Sequence, residues 1–254
     1  MSVALTCTWR PHGELPRLQT YLPQITALYS HIVVALIDTD SATRAALEAL
    51  PGIRLVLPPD GAHSRVAALH AAYATGAEHV HYCDMDRLIR WIETRPDELR
   101  RTVQAIPSAD CLILGRTAAA YASHPEAMRS TERIINEVAS HLLDLHVDIC
   151  AGSKGLSRRL LRFLLNQVPT DGWGDVSWAL LANRSGFLVD YLAADGLDYE
   201  TADRYQPRAA DAAAQRLLAA DIDGNPEEWA RRVRVAQEIL AEGLLIIKHP
   251  LDMS

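Results

Sequence analysis

Three Asp-x-Asp pairs, Asp38/Asp40, Asp84/Asp86 and Asp221/Asp223, are the groups in this sequence whose type and spacing could hold a hard cation. Two carboxylates projecting from one turn after a strand offer oxygen ligands to Mg2+ or Mn2+ and, through the metal, to a phosphate. Spacing alone is a weak signal, because 19 Asp in 254 residues give about one or two such pairs by chance. Context separates the three. Asp221-Ile222-Asp223-Gly224 lies between two helical patterns and reads as a turn. Asp38 and Asp40 end a β-branched run, where an acid often meets a base or ribose, although Asp40-Ser41 reads equally as a helix cap. Asp84 and Asp86 follow the apolar run 79–83, and Arg65 stands at the start of the helical pattern just upstream.

Other polar groups punctuate the ends of apolar runs. Thr8 and Arg10 close the first, and Arg116 with Thr117 closes the run 110–114, where an arginine suits an anionic acceptor or has only a structural role. Glu132 and Asn136 share a helical face at i, i+4 and read as a solvated surface. Trp173-Gly174-Asp175 and the terminal His249 complete the candidates.

These residues need a frame. Apolar runs at 3–8, 31–37, 52–57, 79–83 and 110–114 predict five strands, interleaved with helical patterns at 14–30, 42–50, 64–75 and 96–106. That alternation predicts an α/β fold with a mostly parallel central sheet and flanking helices, whose ligands gather at the carboxyl ends of the strands. Further on, residues 125–145, 157–166 and 176–184 read as helices and 186–192 as a strand. A helical C-terminal extension opens at Asn225-Pro226-Glu227-Glu228. One domain is expected, with residues 1–115 as a nucleotide-binding half, 116–205 as an acceptor half and 206–254 as the extension.

The formal charge of −7 argues against a nucleic-acid or membrane-surface binder, since both partners demand clustered cations. Cys7, Cys83, Cys111 and Cys150 are widely spaced and read as reduced core thiols. The amino terminus lacks the basic and apolar regions of a secretory signal, and no run is long enough to span a bilayer, which predicts a cytoplasmic location. Oligomeric state is left open, a homo-oligomer included.

The stretch from Ser64-Arg65 through an Ala-rich helix, Thr75-Gly76 and an apolar strand to Asp84-Met85-Asp86 resembles the donor-binding region of GT-A glycosyltransferases, the nucleotide-diphospho-sugar transferases of the family 2 type. A second segment, Trp173-Gly174-Asp175 followed by a helix, Gly186 and a strand, is similar to their acceptor element, with Gly174-Asp175 where a Glu-Asp pair is usual. Between them, residues 151–159 are similar to the glycine-bearing loop and Arg-containing helix that precede the acceptor element, and the resemblance covers residues 3–192. It implies a nucleoside-diphosphate-sugar donor, a small-molecule or glycan acceptor, and Mg2+ or Mn2+ held by Asp84 and Asp86, with His249 as a further ligand. It also implies Arg65 on the diphosphate, Thr8, Arg10, Asp38, Asp84, Arg116 and Trp173 as substrate contacts, and Asp175 as the catalytic carboxylate.

Other readings stay open. A sugar nucleotidylyltransferase shares the sheet and the metal but follows its first strand with a glycine-rich basic loop, where this chain has Trp9-Arg10-Pro11-His12-Gly13. A haloacid-dehalogenase-like phosphatase uses Asp-x-Asp at the end of its first strand, whereas three strand-helix units precede Asp84 here. A nucleotide-sugar-binding protein would bind the same ligands without turnover.

Overall fold

The computed structural model describes residues 1–58, 64–167, 172–201 and 211–248. Its seven described strands form one sheet in the order β3-β2-β1-β4-β6-β5-β7. They are β1 (Val3–Trp9), β2 (His31–Leu36), β3 (Ile53–Val56), β4 (His79–Cys83), β5 (Cys111–Arg116), β6 (Ser153–Ser157) and β7 (Val189–Ala194). Every pairing is parallel except those of β6, which runs antiparallel between β4 and β5. The expected α/β architecture with a mostly parallel sheet and flanking helices is the observed one.

The period-2 alternation of the strands makes a core on each face. Along β1, Leu5, Cys7 and Trp9 enter one core with helices α1 (Leu15–Leu28), α4 (Met85–Thr94) and α5 (Pro96–Ala105). On the other face Ala4, Val80, Tyr82 and Ile113 pack with residues of α3 (Ser64–Tyr73), α7 (Glu126–Leu143), α8 (Arg158–Gln167) and α9 (Ser177–Arg184), while the short α6 (Ala118–Ala122) follows β5. The C-terminal helix Pro226–Lys248 joins this second core through Ala236 and Ile239. All four cysteines are free and buried, as expected of reduced core thiols. Among the described residues, no helix is long and apolar enough to cross a membrane.

Several local expectations change. Residues 153–157 form β6 rather than a loop: Gly155 lets the strand press against Ile106, with no room for a side chain. Helix α4, unforeseen, begins directly after Asp84 and buries Leu88, Ile89, Trp91 and Ile92. Asp40, not Ser41, caps α2 (Ser41–Glu48), its carboxylate accepting from Ala42 N and Thr43 N. Asp221 and Asp223 belong to the last turn of helix Ala212–Asp223 rather than to a turn between helices. Asp223 accepts hydrogen bonds from Glu126 N and Ala127 N, so it caps the neighbouring α7 and satisfies donors that a helix start leaves free.

Candidate functional site

Asp84 stands where β4 ends and α4 begins, in the N-cap position, yet its side chain makes no capping bond and remains free for other partners. Its backbone N–H donates to Gly152 O at 3.1 Å, which draws the β6 entry against the β4 exit. Gly152 has φ +67°, and a Cβ there would overlap the Asp84 carboxylate. Only glycine therefore lets the two segments approach this closely.

Arg65 lies in the first turn of α3, on the neighbouring crossover. Its Nη1 donates to Asp175 Oδ2 at 2.9 Å and to the Trp173 carbonyl. The guanidinium also lies 5.5 Å from the Trp173 ring and 5.9 Å from Tyr82. Segment 172–175 is thus held by an arginine more than 100 residues earlier in the chain. From the other side Glu242 of the C-terminal helix accepts from Trp173 N at 2.6 Å and Gly174 N at 3.3 Å, and Glu238 accepts from the Trp173 indole at 3.2 Å. Gly174, at φ +76°, passes directly over Trp178 where a side chain would collide.

These residues enclose a cavity of about 180 Å³, walled by Arg65, Asp84, Arg87, Gly152, Trp173 and Asp175 and closed by the C-terminal helix. Pockets for drug-sized ligands run to roughly 300–1,000 Å³, so this space suits a small polar group rather than a whole ligand of that size. Arg87, three residues after Asp84, lies 3.7 Å from its carboxylate and donates to the Ala151 carbonyl. Burial raises the Asp84 carboxyl above its ordinary value; Arg87 and Arg65 oppose that rise, and Asp86 and Asp175 add to it.

Among the described residues no three Asp, Glu, His or Cys side chains gather into a complete cation cage. Asp84 faces the cavity, Asp86 lies in the first turn of α4 outside its wall, and His249 falls outside the described residues. A magnesium-like ion commonly takes one or two carboxylates and fills its shell with water and substrate phosphates. Asp84, a half-buried carboxylate that faces the cavity and makes no capping bond, has the oxygen ligands that role needs.

No family model matches the sequence, and no curated protein does. Solved structures match by shape. A mycobacterial protein superposes with a TM-score of 0.61 at 15% identity, over 99% of this chain and 76% of its own. A glucosyl-3-phosphoglycerate synthase from Mycobacterium tuberculosis, solved with Mn2+, uridine diphosphate and glucosyl-3-phosphoglycerate, gives 0.59 at 15% identity, over 99% of this chain and 81% of its own. The fold is GT-A-like.

Within the GT-A-like sheet the remaining candidates disperse. Thr8 Oγ1 hydrogen-bonds the Tyr82 hydroxyl at 3.1 Å, and Arg10 pairs with Asp38 in an exposed ion pair; none of the three walls the cavity. Asp38 adopts φ +41°, an uncommon conformation for a residue other than glycine, at the exit of β2. Arg116 is fully buried. Its Nε and Nη2 donate to Asp148 at 2.7 and 2.8 Å, Nη2 also reaches Glu132 at 2.7 Å, and the guanidinium lies 4.6 Å from the Tyr121 ring. Burial pushes the Asp148 carboxyl up, but these bonds carry it below its ordinary value. Glu132 and Asn136 are accordingly not a solvated face, since Asn136 bonds Asp148 Oδ1 and the Ile149 N–H. Arg116 belongs to an internal network that ties the end of β5 to α7 and the 144–148 loop.

Arg87 and Asp148 escaped the sequence reading. The i, i+3 spacing of Arg87 from Asp84 was a signal that could have found the first; nothing local marks Asp148.

Proposed function

We propose that this chain is a metal-dependent glycosyltransferase that moves a sugar from a nucleoside-diphosphate sugar to a hydroxyl acceptor. The observation that carries the reading is the convergence of Arg65, Asp84 and Asp175, from three separate segments, on one cavity at the carboxyl ends of parallel strands. The Mn2+ and uridine diphosphate in the structurally similar synthase support the choice of ligands.

In this reading Asp84 would hold Mg2+ or Mn2+, with Asp86 and His249 as further candidate ligands, and the bound cation would supply positive charge for a departing diphosphate. Arg65 and Arg87 bind the diphosphate oxygens. Asp175, ion-paired to Arg65 at 2.9 Å, orients or deprotonates the acceptor once the arginine turns to the donor. Trp173, pinned by Glu238 and Glu242, forms a wall for the transferred sugar. Thr8, Arg10 and Asp38, at the exits of β1 and β2, are placed for the outer part of the donor.

The test is calorimetric titration with UDP, GDP and ADP, with and without Mn2+, followed by turnover assays with the matching sugar nucleotides. Metal-dependent binding of one nucleotide and transfer to an acceptor are expected. Binding without turnover over a broad acceptor set would favour a nucleotide-sugar-binding protein, and no nucleotide binding at all would overturn the proposal.

A further inference from the structure

The C-terminal helix carries a cation into the cavity that the proposed reaction leaves unused. Arg232 lies one turn before Val235 and Ala236 and walls the cavity with them. Its Nε is buried without a hydrogen-bond partner. The carboxylates around it are engaged elsewhere: Glu228 lies 2.6 Å from Arg231, and Glu132 lies 2.7 Å from Arg116. Among the described residues none stands within ion-pair distance of Arg232. Arg65 and Arg87, by contrast, have Asp175 and Asp84.

A guanidinium drawn partly out of water without an anion is destabilising, and the neighbouring charge of Arg87 adds repulsion. Burial lowers the Arg232 pKa from its ordinary value, Glu132 and Glu228 raise it, and Arg231 and Arg87 lower it further. The arrangement is stable in the presence of a ligand that brings negative charge between the two arginines. Planar guanidinium forks match tetrahedral oxyanions in two-point contacts, and a phosphate group fits a space of about 180 Å³.

We propose that Arg232, with Arg87 beside it, forms an anion subsite in this cavity that takes a phosphate group. The phosphate belongs either to the diphosphate of the donor or to a phosphate ester on the acceptor. Only that choice rests on the glycosyltransferase reading, since the subsite itself needs neither metal nor turnover.

The experiment compares the full-length protein with Arg232→Met, which keeps the length of the stem and removes the charge. Thermal melts and calorimetry are run with inorganic phosphate, pyrophosphate, and UDP with Mn2+. The wild type is expected to bind phosphate or pyrophosphate, and the variant about tenfold more weakly or worse. The ligand-free variant is expected to melt no lower than the wild type, because a half-buried charge without a counter-ion has gone; a purely structural arginine would give the opposite. If UDP binding weakens in parallel, the donor supplies the phosphate, and if UDP binding is unchanged, the acceptor does. Should Arg232→Met fail to fold, Arg232→Lys keeps the charge without the fork, and weaker phosphate binding than wild type is expected of it. Equal phosphate binding by wild type and variant, or none by the wild type, overturns the subsite.

Discussion

Replacing Asp175 by Asn probes the contact on which the candidate site depends. The carboxylate is 7% exposed and accepts from Arg65 Nη1 at 2.9 Å. Asn keeps the shape and an acceptor oxygen but removes the charge, so a charge-assisted bond worth about 1.5–3 kcal/mol becomes a neutral one of about 0.5–1.5 kcal/mol. Arg65, with a side chain 22% exposed, is left with the more distant Asp84 as its counter-charge. Complete removal of a buried partner costs about 3–5 kcal/mol, and partial exposure of Arg65 lowers that ceiling. A loss of about 2 kcal/mol follows, which for a chain of this size lowers Tm by about 4–8 °C. Differential scanning calorimetry reads that shift, and titration of the same sample with UDP and Mn2+ reads donor binding. The expected result is a lower Tm with nucleotide affinity retained and sugar transfer abolished. In the Arg65→Met background, Asp175→Asn should cost clearly less than in wild type, because the partner has already gone. A Tm within about 1 °C of wild type, or equal costs in the two backgrounds, would refute the claim that this ion pair holds the acceptor segment.

Asp84→Asn should abolish the Mn2+-dependent part of nucleotide binding while leaving the ligand-free melting temperature unchanged or raised, since burial already disfavours the charged form; calorimetry with and without Mn2+ checks both. Gly152→Ala forces a Cβ against Asp84 at φ +67°, so metal-dependent binding should fall and stability should drop by about 1–2 kcal/mol, measured by urea unfolding. His81, hydrogen-bonded to Tyr29 at 2.7 Å and Ser153 at 2.8 Å, is pulled down to about 3 by burial. The unfolded chain then binds the extra proton first, so stability is full above about pH 6.5 and is lost as pH falls toward 3. His81→Gln should flatten that part of the stability–pH curve in chemical unfolding, and an unchanged slope would remove His81 as its cause. Glu242→Gln weakens the clamp on Trp173 and Gly174, and is expected to raise acceptor KM more than it lowers nucleotide affinity, as steady-state kinetics would show.

Much of the frame was legible without coordinates. All five expected strands occur, as β1 to β5, and β4 at His79–Cys83 is the run 79–83 that placed Asp84 at a strand end. Arg65 in the first turn of α3 follows from the same alternation, because a strand-helix repeat dictates which loops share an edge of the sheet. The pairing that joins Arg65 to Asp175 was not legible, since it links residues 110 positions apart and depends on how two crossovers stack. Likewise Ser153–Ser157 has a single large apolar residue and carries no strand pattern of its own; it is a strand because β4 and β5 both offer it hydrogen bonds.

Local periodicity determined where strands and helices begin and which end of the sheet carries polar groups, because backbone propensity and burial act over a few neighbouring residues. Tertiary packing alone decided which charges meet. It turned Glu132 inward to Arg116, drew Arg116 into an internal network with Asp148, and left Arg232, one of several arginines in 231–234, facing a cavity without an anion. A charge on a helix looks the same in sequence whether it faces water or a neighbour. The partner that gives it meaning is brought there by the packing of distant elements.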